Sequence, residues 1–168
     1  MAFSPFSQIR EKIAGIVSPE IVEQRNELER QANTDVLTEL PNRRAFDRAE
    51  PKARRDGLAF ILFDANNFGL VNKQCGHKKG DEVLQRYADV IANVAHNFKA
   101  RAFRYGGDEF VVVCPHRFAF KVKDAIEFRA RAVDFGNFVV SLSGEVGWSV
   151  EDADKRLQAR KQAKKRVG

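Results

Sequence analysis

Apolar residues along this chain recur at helical spacing towards both ends and in strand-like blocks between them. Ile9, Ile13, Ile16 and Val17 predict a short amphipathic helix over residues 7–17. Ser18-Pro19 then restarts the chain: Ser suits an N-cap, and Pro suits the first helical position because its missing N–H costs nothing there. A second helix is expected from Pro19 to Asn33, where Ile21 and Leu28 mark a weak seven-residue apolar seam among Glu, Gln and Arg. Pro41 breaks the stretch from Leu37 to Phe46, and Asn42 is placed to cap a helix through Ala49. The run Leu58-Ala-Phe-Ile-Leu-Phe63 is almost wholly apolar, as expected of a strand covered on both faces, with Asp64 at its carboxyl end before a polar loop. Val83, Leu84, Tyr87, Val90, Ile91 and Val94 give a helix over 80–94. Residues 100–105 and 109–114 flank Gly106-Gly107, which predicts two strands joined by a tight hairpin. Residues 139–142 and 146–148 are further strand candidates, and 151–165 a final helix. Over 116–137 the pattern is double: Phe118, Phe120 and Val122 alternate as in a strand, while 126–133 suits a helix equally well. Strands and helices mixed in this order imply an α/β sandwich, with helices packed on a sheet.

Composition narrows the class. A length of 168 residues fits one domain over 34–168 with a helical extension over 1–33. Fourteen Phe against one Trp and one Met imply a phenylalanine-packed core. No apolar run approaches the roughly 20 residues that a membrane span requires, and Arg10, Glu11 and Lys12 interrupt any secretory leader. No membrane partner is therefore expected. Cys75 and Cys114 have no metal-site spacing and are expected to be buried or half-buried free thiols in a reducing cytoplasm. The net charge of +6 fits an anionic ligand, and much of the excess lies between Lys155 and Arg166. That run is open to three readings, a solvated helix face, a phosphate clamp or a nucleic-acid contact, and composition alone favours the solvated face.

Candidate chemistry begins with carboxylates. Asp64 follows a buried strand, and Asp108-Glu109 follow two glycines at a hairpin tip, where small residues allow a close backbone approach. If the strands are neighbours, three acids converge at one end of the sheet. Such a cluster repels itself unless a cation is bound, and hard oxygen donors suit Mg²⁺. Two such ions can activate a hydroxyl and steady a triphosphate's leaving oxygen. On these residues alone, a solvated hairpin tip without metal remains an equal alternative.

Three ordered segments resemble the GGDEF family of diguanylate cyclases. The first is Asp35-Val-Leu-Thr-Glu-Leu-Pro-Asn-Arg-Arg-Ala-Phe46. The second is Asp64-Ala-Asn-Asn-Phe68 continuing through Asn72, Gly76-His77 and Gly80-Asp81. The third is Arg104-Tyr-Gly-Gly-Asp-Glu-Phe110. The resemblance implies a nucleotidyl-cyclase-like palm fold, with a central, mostly antiparallel sheet flanked by helices and a compressed C-terminal half. It implies condensation of two GTP into cyclic di-GMP with loss of pyrophosphate, dependent on Mg²⁺ (or Mn²⁺), at the interface of a transient homodimer. By position, Asp64, the Ala65 carbonyl and Asp108 would bind metal. Asp108 would help deprotonate the 3′-hydroxyl, with Glu109 as the second catalytic acid. Asn72 and Asp81 would read guanine, whose donors a carboxylate and an amide can meet. Asn67, Phe68, Lys161 and Lys165 would line the phosphates, the two lysines sharing a helix face. His77 is expected to be a packing residue.

Several positions depart from the family's pattern. Asn66 stands where the second Asp of its DxD pair would be, and Gly69 replaces a phosphate-balancing Lys. Asn97 and Ala100 replace the Arg and Asp of the product-inhibition motif, and residues 111–150 are compressed. No sensor domain is expected before the catalytic part. The departures keep open a catalytically inactive module that binds GTP or a cyclic dinucleotide. A nucleic-acid partner for the basic tail is not expected, and a steep salt dependence of binding would be its mark.

Overall fold

A computed structural model describes residues 18–133, 135 and 140–167, with the backbone alone at 164, 165 and 167. The helix expected over 7–17 lies outside the described residues. The chain divides into two units, residues 1–33 and 34–168. In the first, helix α1 (Pro19–Asn33) has no buried residue, and Ile21 and Leu28 are 57% and 65% exposed.

In the second unit, α2 (Arg43–Arg55) is capped by Asn42, whose side chain accepts from the Ala45 N–H. The helix outruns the expected end at Ala49 and passes through Pro51, because Ala53 is buried and Arg54 pairs with Glu50 and Glu151. Strand β1 (Leu58–Asn66) is followed by α3 (Phe68–Cys75), α4 (His77–Asn97), β2 (Arg101–Gly106) and β3 (Glu109–Pro115). A 3₁₀ turn (His116–Phe118), α5 (Ala119–Arg131), β4 (Ser141–Gly147) and α6 (Val150–Val167) complete the unit. The polar loop expected after Asp64 is instead the end of β1 and then α3. The ambiguous 116–137 stretch is helical over its described core, and the two late strand candidates are one strand.

The sheet order is β2-β3-β1-β4, with every pairing antiparallel. Because successive strand residues face opposite sides, β1 sends Ala59, Ile61, Phe63 and Ala65 into one core layer and Phe60 and Leu62 into the other. Helices α4 and α5 cover the first layer. The second is covered by Phe46 and Ala53 of α2 and by Val150, Ala153 and Leu157 of α6. The expected phenylalanine core is present: Phe46, Phe60, Phe63, Phe103 and Phe110 are fully buried, and Phe46 meets Phe60 and Phe103 edge-on.

One polar clamp fixes the β2–β3 hairpin. The Arg104 guanidinium reaches both oxygens of Asp35, at 2.9 and 3.1 Å, and donates from Nε and Nη2 to the Gly107 carbonyl. Thr38 donates to Asp35 through its N–H and its hydroxyl, and the Arg104 N–H donates to the Pro41 carbonyl. Burial pushes the Asp35 carboxyl up, but hydrogen bonds from Thr38 and Arg104 outweigh it, so the group titrates below its ordinary range. A depressed carboxyl adds stability that is present above its unfolded pKa and lost as the pH falls through the folded one. Arg104→Gln should therefore cost about 2 kcal/mol at pH 7, and the gap from the unaltered protein should narrow below about pH 4. Urea unfolding across that range checks this; a gap that stays constant with pH would contradict the clamp.

Candidate active site

The second core layer ends in charge. Continuing the same face of β1 beyond Phe60 and Leu62 reaches Asp64, and continuing the α6 stripe of Val150, Ala153 and Leu157 reaches Lys161. The two meet, with Lys161 Nζ 2.6 Å from Asp64 Oδ1. Strand pairing sets Glu109 directly across from Asp64, and the Ala65 N–H donates to the Asp108 carbonyl at 3.2 Å. Asp64, Asp108, Glu109 and Lys161 are thus brought to one end of the sheet, each half-buried.

The acids strain one another electrostatically. Burial, reinforced by the charge of Asp64, raises the Asp108 carboxyl above its ordinary range despite Lys161 and Arg104 nearby. Burial also raises Glu109, with Asp64, Asp108 and Asp154 all adding to the shift. Among the described residues, no three His, Cys, Asp or Glu side chains are grouped closely enough to hold a metal ion as they stand. The donor chemistry still fits a hard divalent cation: carboxylates and a backbone carbonyl, in surroundings that oppose their shared negative charge. Lys161 at present supplies the positive charge that the cluster lacks.

A second group lies around α3. Phe68 is half-buried against the core, and Asn72 is half-buried with its Oδ1 enclosed and, among the described residues, without a hydrogen-bond partner. A Cβ on Gly80 would run into that oxygen and would sit 3.2 Å from the Phe68 ring. Phe68, Asn72 and Gly80 are therefore neighbours, and Asp81 follows on α4, exposed to solvent. Asn67 precedes α3 in the left-handed region, at φ 64°. The side chain of Lys165 lies outside the described residues.

Three expectations need correction. Asp64 is not followed by a loop, since it and Asn66 pair with Ser143 and Ser141 of β4. Asn66 donates to the Ser141 carbonyl and to the hydroxyls of Ser141 and Ser143, so it is a strap on β4. His77 is exposed at the start of α4 and packs no core, because the apolar stripe of that helix begins at Val83. Cys114 is buried, as a small apolar side chain would be, whereas Cys75 is exposed. Sequence reasoning gave no role to Asp35 and Arg104; their presence in the first and third motifs was the available signal.

The chain matches the family model described as "Diguanylate cyclase, GGDEF domain" over residues 32–150. A Vibrio cholerae protein named "Diguanylate cyclase" is 45% identical over 104 residues, covering 56% of this chain and 31% of that protein. "Diguanylate cyclase DgcS" of Shewanella oneidensis is 35% identical over 96 residues, 54% of this chain and 32% of that one. The chain thus spans about a third of the length of these curated relatives. Among solved structures, the coiled coil and GGDEF domain of DgcB from Caulobacter crescentus, in complex with c-di-GMP, matches with TM-score 0.74 and 26% identity, over 99% of this chain and 96% of that one. With a family match that takes in the acids of β1 and the β2–β3 hairpin together, the chain belongs to the GGDEF family.

Proposed function

We propose that residues 34–168 are the catalytic domain of a diguanylate cyclase, condensing two GTP into cyclic di-GMP. The observation that carries this reading is the junction of Asp64, Asp108, Glu109 and Lys161, with a second group at Asn72, whose enclosed Oδ1 has no partner among the described residues. In each half of the reaction, the 3′-oxygen of one GTP forms a bond to the α-phosphorus of the other. The bond from that phosphorus to its bridging oxygen breaks, pyrophosphate leaves, and the hydroxyl proton passes to a carboxylate. Repeating the step with the roles exchanged closes the ring. Asp64, Asp108 and the Ala65 carbonyl would hold Mg²⁺ (or Mn²⁺), which when bound neutralises triphosphate charge and acidifies the attacking hydroxyl.

The chain's own residues supply the rest. The raised Asp108 and Glu109 carboxyls are better proton acceptors than ordinary surface acids. Lys161 exchanges Asp64 for triphosphate oxygens, and Asn67 and Phe68 offer the amino end of α3 to phosphate. The enclosed Asn72 Oδ1 has no donor among the described residues, a need that guanine could meet, and Asp81 is a second acceptor. One site holds half of the reactants, so a second copy is required, and the exposed Ile21 and Leu28 on α1 suit a transient pairing. No described helix is long and apolar enough to cross a membrane. The free thiols fit a cytoplasmic location.

Gly69, where the family carries a Lys, favours one other reading: a module that binds the nucleotide without turning it over. Pyrophosphate release from GTP and Mg²⁺ separates the two. Turnover is expected, with Asp64→Ala and Asp108→Ala each losing about 10²-fold or more while remaining folded. Near-normal release by Asp108→Ala would refute the site, whereas calorimetric GTP binding by the unaltered protein without release would support the binding module.

Guanine selection gives an independent check. GTP should be preferred to ATP by a large factor, up to about 10⁴-fold, because an unmatched polar site rejects the wrong base. Asp81→Ala should erode that ratio, and Gly80→Ala should do the same by displacing the Asn72 amide. Equal use of both nucleotides by the unaltered protein would overturn the assignment.

A further inference from the structure

Strand β4 is an edge of the sheet, and its outer side is closed by side chains. The Gly144 N–H donates to Glu127 Oε1 at 2.9 Å, and the Gly144 carbonyl accepts from Arg160 Nη1 at 3.1 Å. Arg160 Nη1 also donates to Glu127 Oε1 at 3.1 Å and to Glu145 Oε1 at 3.0 Å. Glu127 is 7% exposed, an unusual place for a carboxylate unless its charge is met. Lys123, on the same helix, approaches its other oxygen at 3.5 Å. Glu127 comes from α5, which covers one core layer, and Arg160 from α6, which covers the other. They meet around the strand edge and occupy the side of β4 on which, among the described residues, no strand pairs.

The grip falls at a telling position. Gly144 pairs with Phe63, the residue before Asp64, and a Cβ there would sit 2.5 Å from the Phe63 ring. The next residue after Arg160 is Lys161, which bears on Asp64. Consecutive residues of α6 thus hold consecutive points of the sheet, one at the outer edge and one in the acid cluster. Lys161 has a long, flexible stem, so its ammonium returns to one point only if the helix beneath is fixed.

We infer that the pair between buried Glu127 and half-buried Arg160 positions Lys161 for the triphosphate by locking α6 onto the Gly144 edge, an inference that rests on the proposed reading of Lys161 as a phosphate ligand. Glu127 and Arg160 touch no reacting atom; they act through Lys161. Arg160 is therefore worth little to nucleotide binding once Lys161 is gone.

That coupling is the test. Arg160→Gln, Lys161→Gln and the double variant are titrated by calorimetry with a non-hydrolysable GTP analogue and Mg²⁺, with circular dichroism to verify folding. Arg160→Gln should weaken binding about tenfold, as Lys161→Gln does, and the double variant should bind no more weakly than Lys161→Gln alone. Arg54→Gln, which breaks a separate α6 contact through Glu151, should lower the Tm without changing the affinity. If Arg160→Gln does not fold, Arg160→Lys serves: it keeps the charge, but its stem is one atom shorter, so the amine falls short of the three acceptors that Arg160 Nη1 reaches. Unchanged binding by the Arg160 variant, or losses that multiply in the double, would overturn the inference. If the unaltered protein binds no analogue, the GTP reading fails, and thermal unfolding of the free protein decides the positioning role. Lys161→Gln must then lower the Tm less in the Arg160→Gln background than in the unaltered one; equal losses would overturn it.

Discussion

Arg104 joins Asp35 to the carbonyl of Gly107, and the arrangement of the acid cluster depends on that contact. A hairpin tip carrying two carboxylates beside a third has every electrostatic reason to splay. The guanidinium opposes this in two ways: it holds the turn's backbone through forked hydrogen bonds, and it adds positive charge close to Asp108. Asp35 in turn is held by Thr38, so the strain at the hairpin passes into the segment before α2. Two stretches that lie 69 residues apart in sequence behave as one part.

The second organising constraint is the matched ending of two apolar stripes. β1 and α6 pack face to face through Phe60, Leu62, Val150, Ala153 and Leu157, then both turn charged at the same level. An ion pair at the end of a dry interface is less screened than one on an open surface, so Lys161 is a natural counter-charge for the free site. Asn66, which departs from the family's acid pair, has taken up a different task by tying β1 to Ser141 and Ser143.

Much of this was legible from sequence, because the signals were local. The apolar block at Leu58–Phe63, the Gly106-Gly107 turn and the α6 periodicity are short-range patterns that the structure keeps. What was not legible depends on partners far away. β1 runs on to Asn66 because β4, some 75 residues later, pairs with it. The helix through Pro51 is sustained by contacts to α6 that no propensity encodes. Glu127 reads in sequence as one more solvated acid on an amphipathic helix, and only the open edge of β4 explains its burial. The group around Asn72 was partly visible in motif spacing, but the close fit of Gly80 against Asn72 was not.

The central claim is chemical: this acid cluster joins two guanine nucleotides. Incubation of the purified protein with GTP and Mg²⁺, followed by mass identification of the products, tests it most directly. A cyclic dinucleotide of two guanylates, accompanied by two equivalents of pyrophosphate, is the expected result. Recovery of intact GTP, or of GDP and inorganic phosphate alone, at protein concentrations high enough to populate a dimer would contradict it.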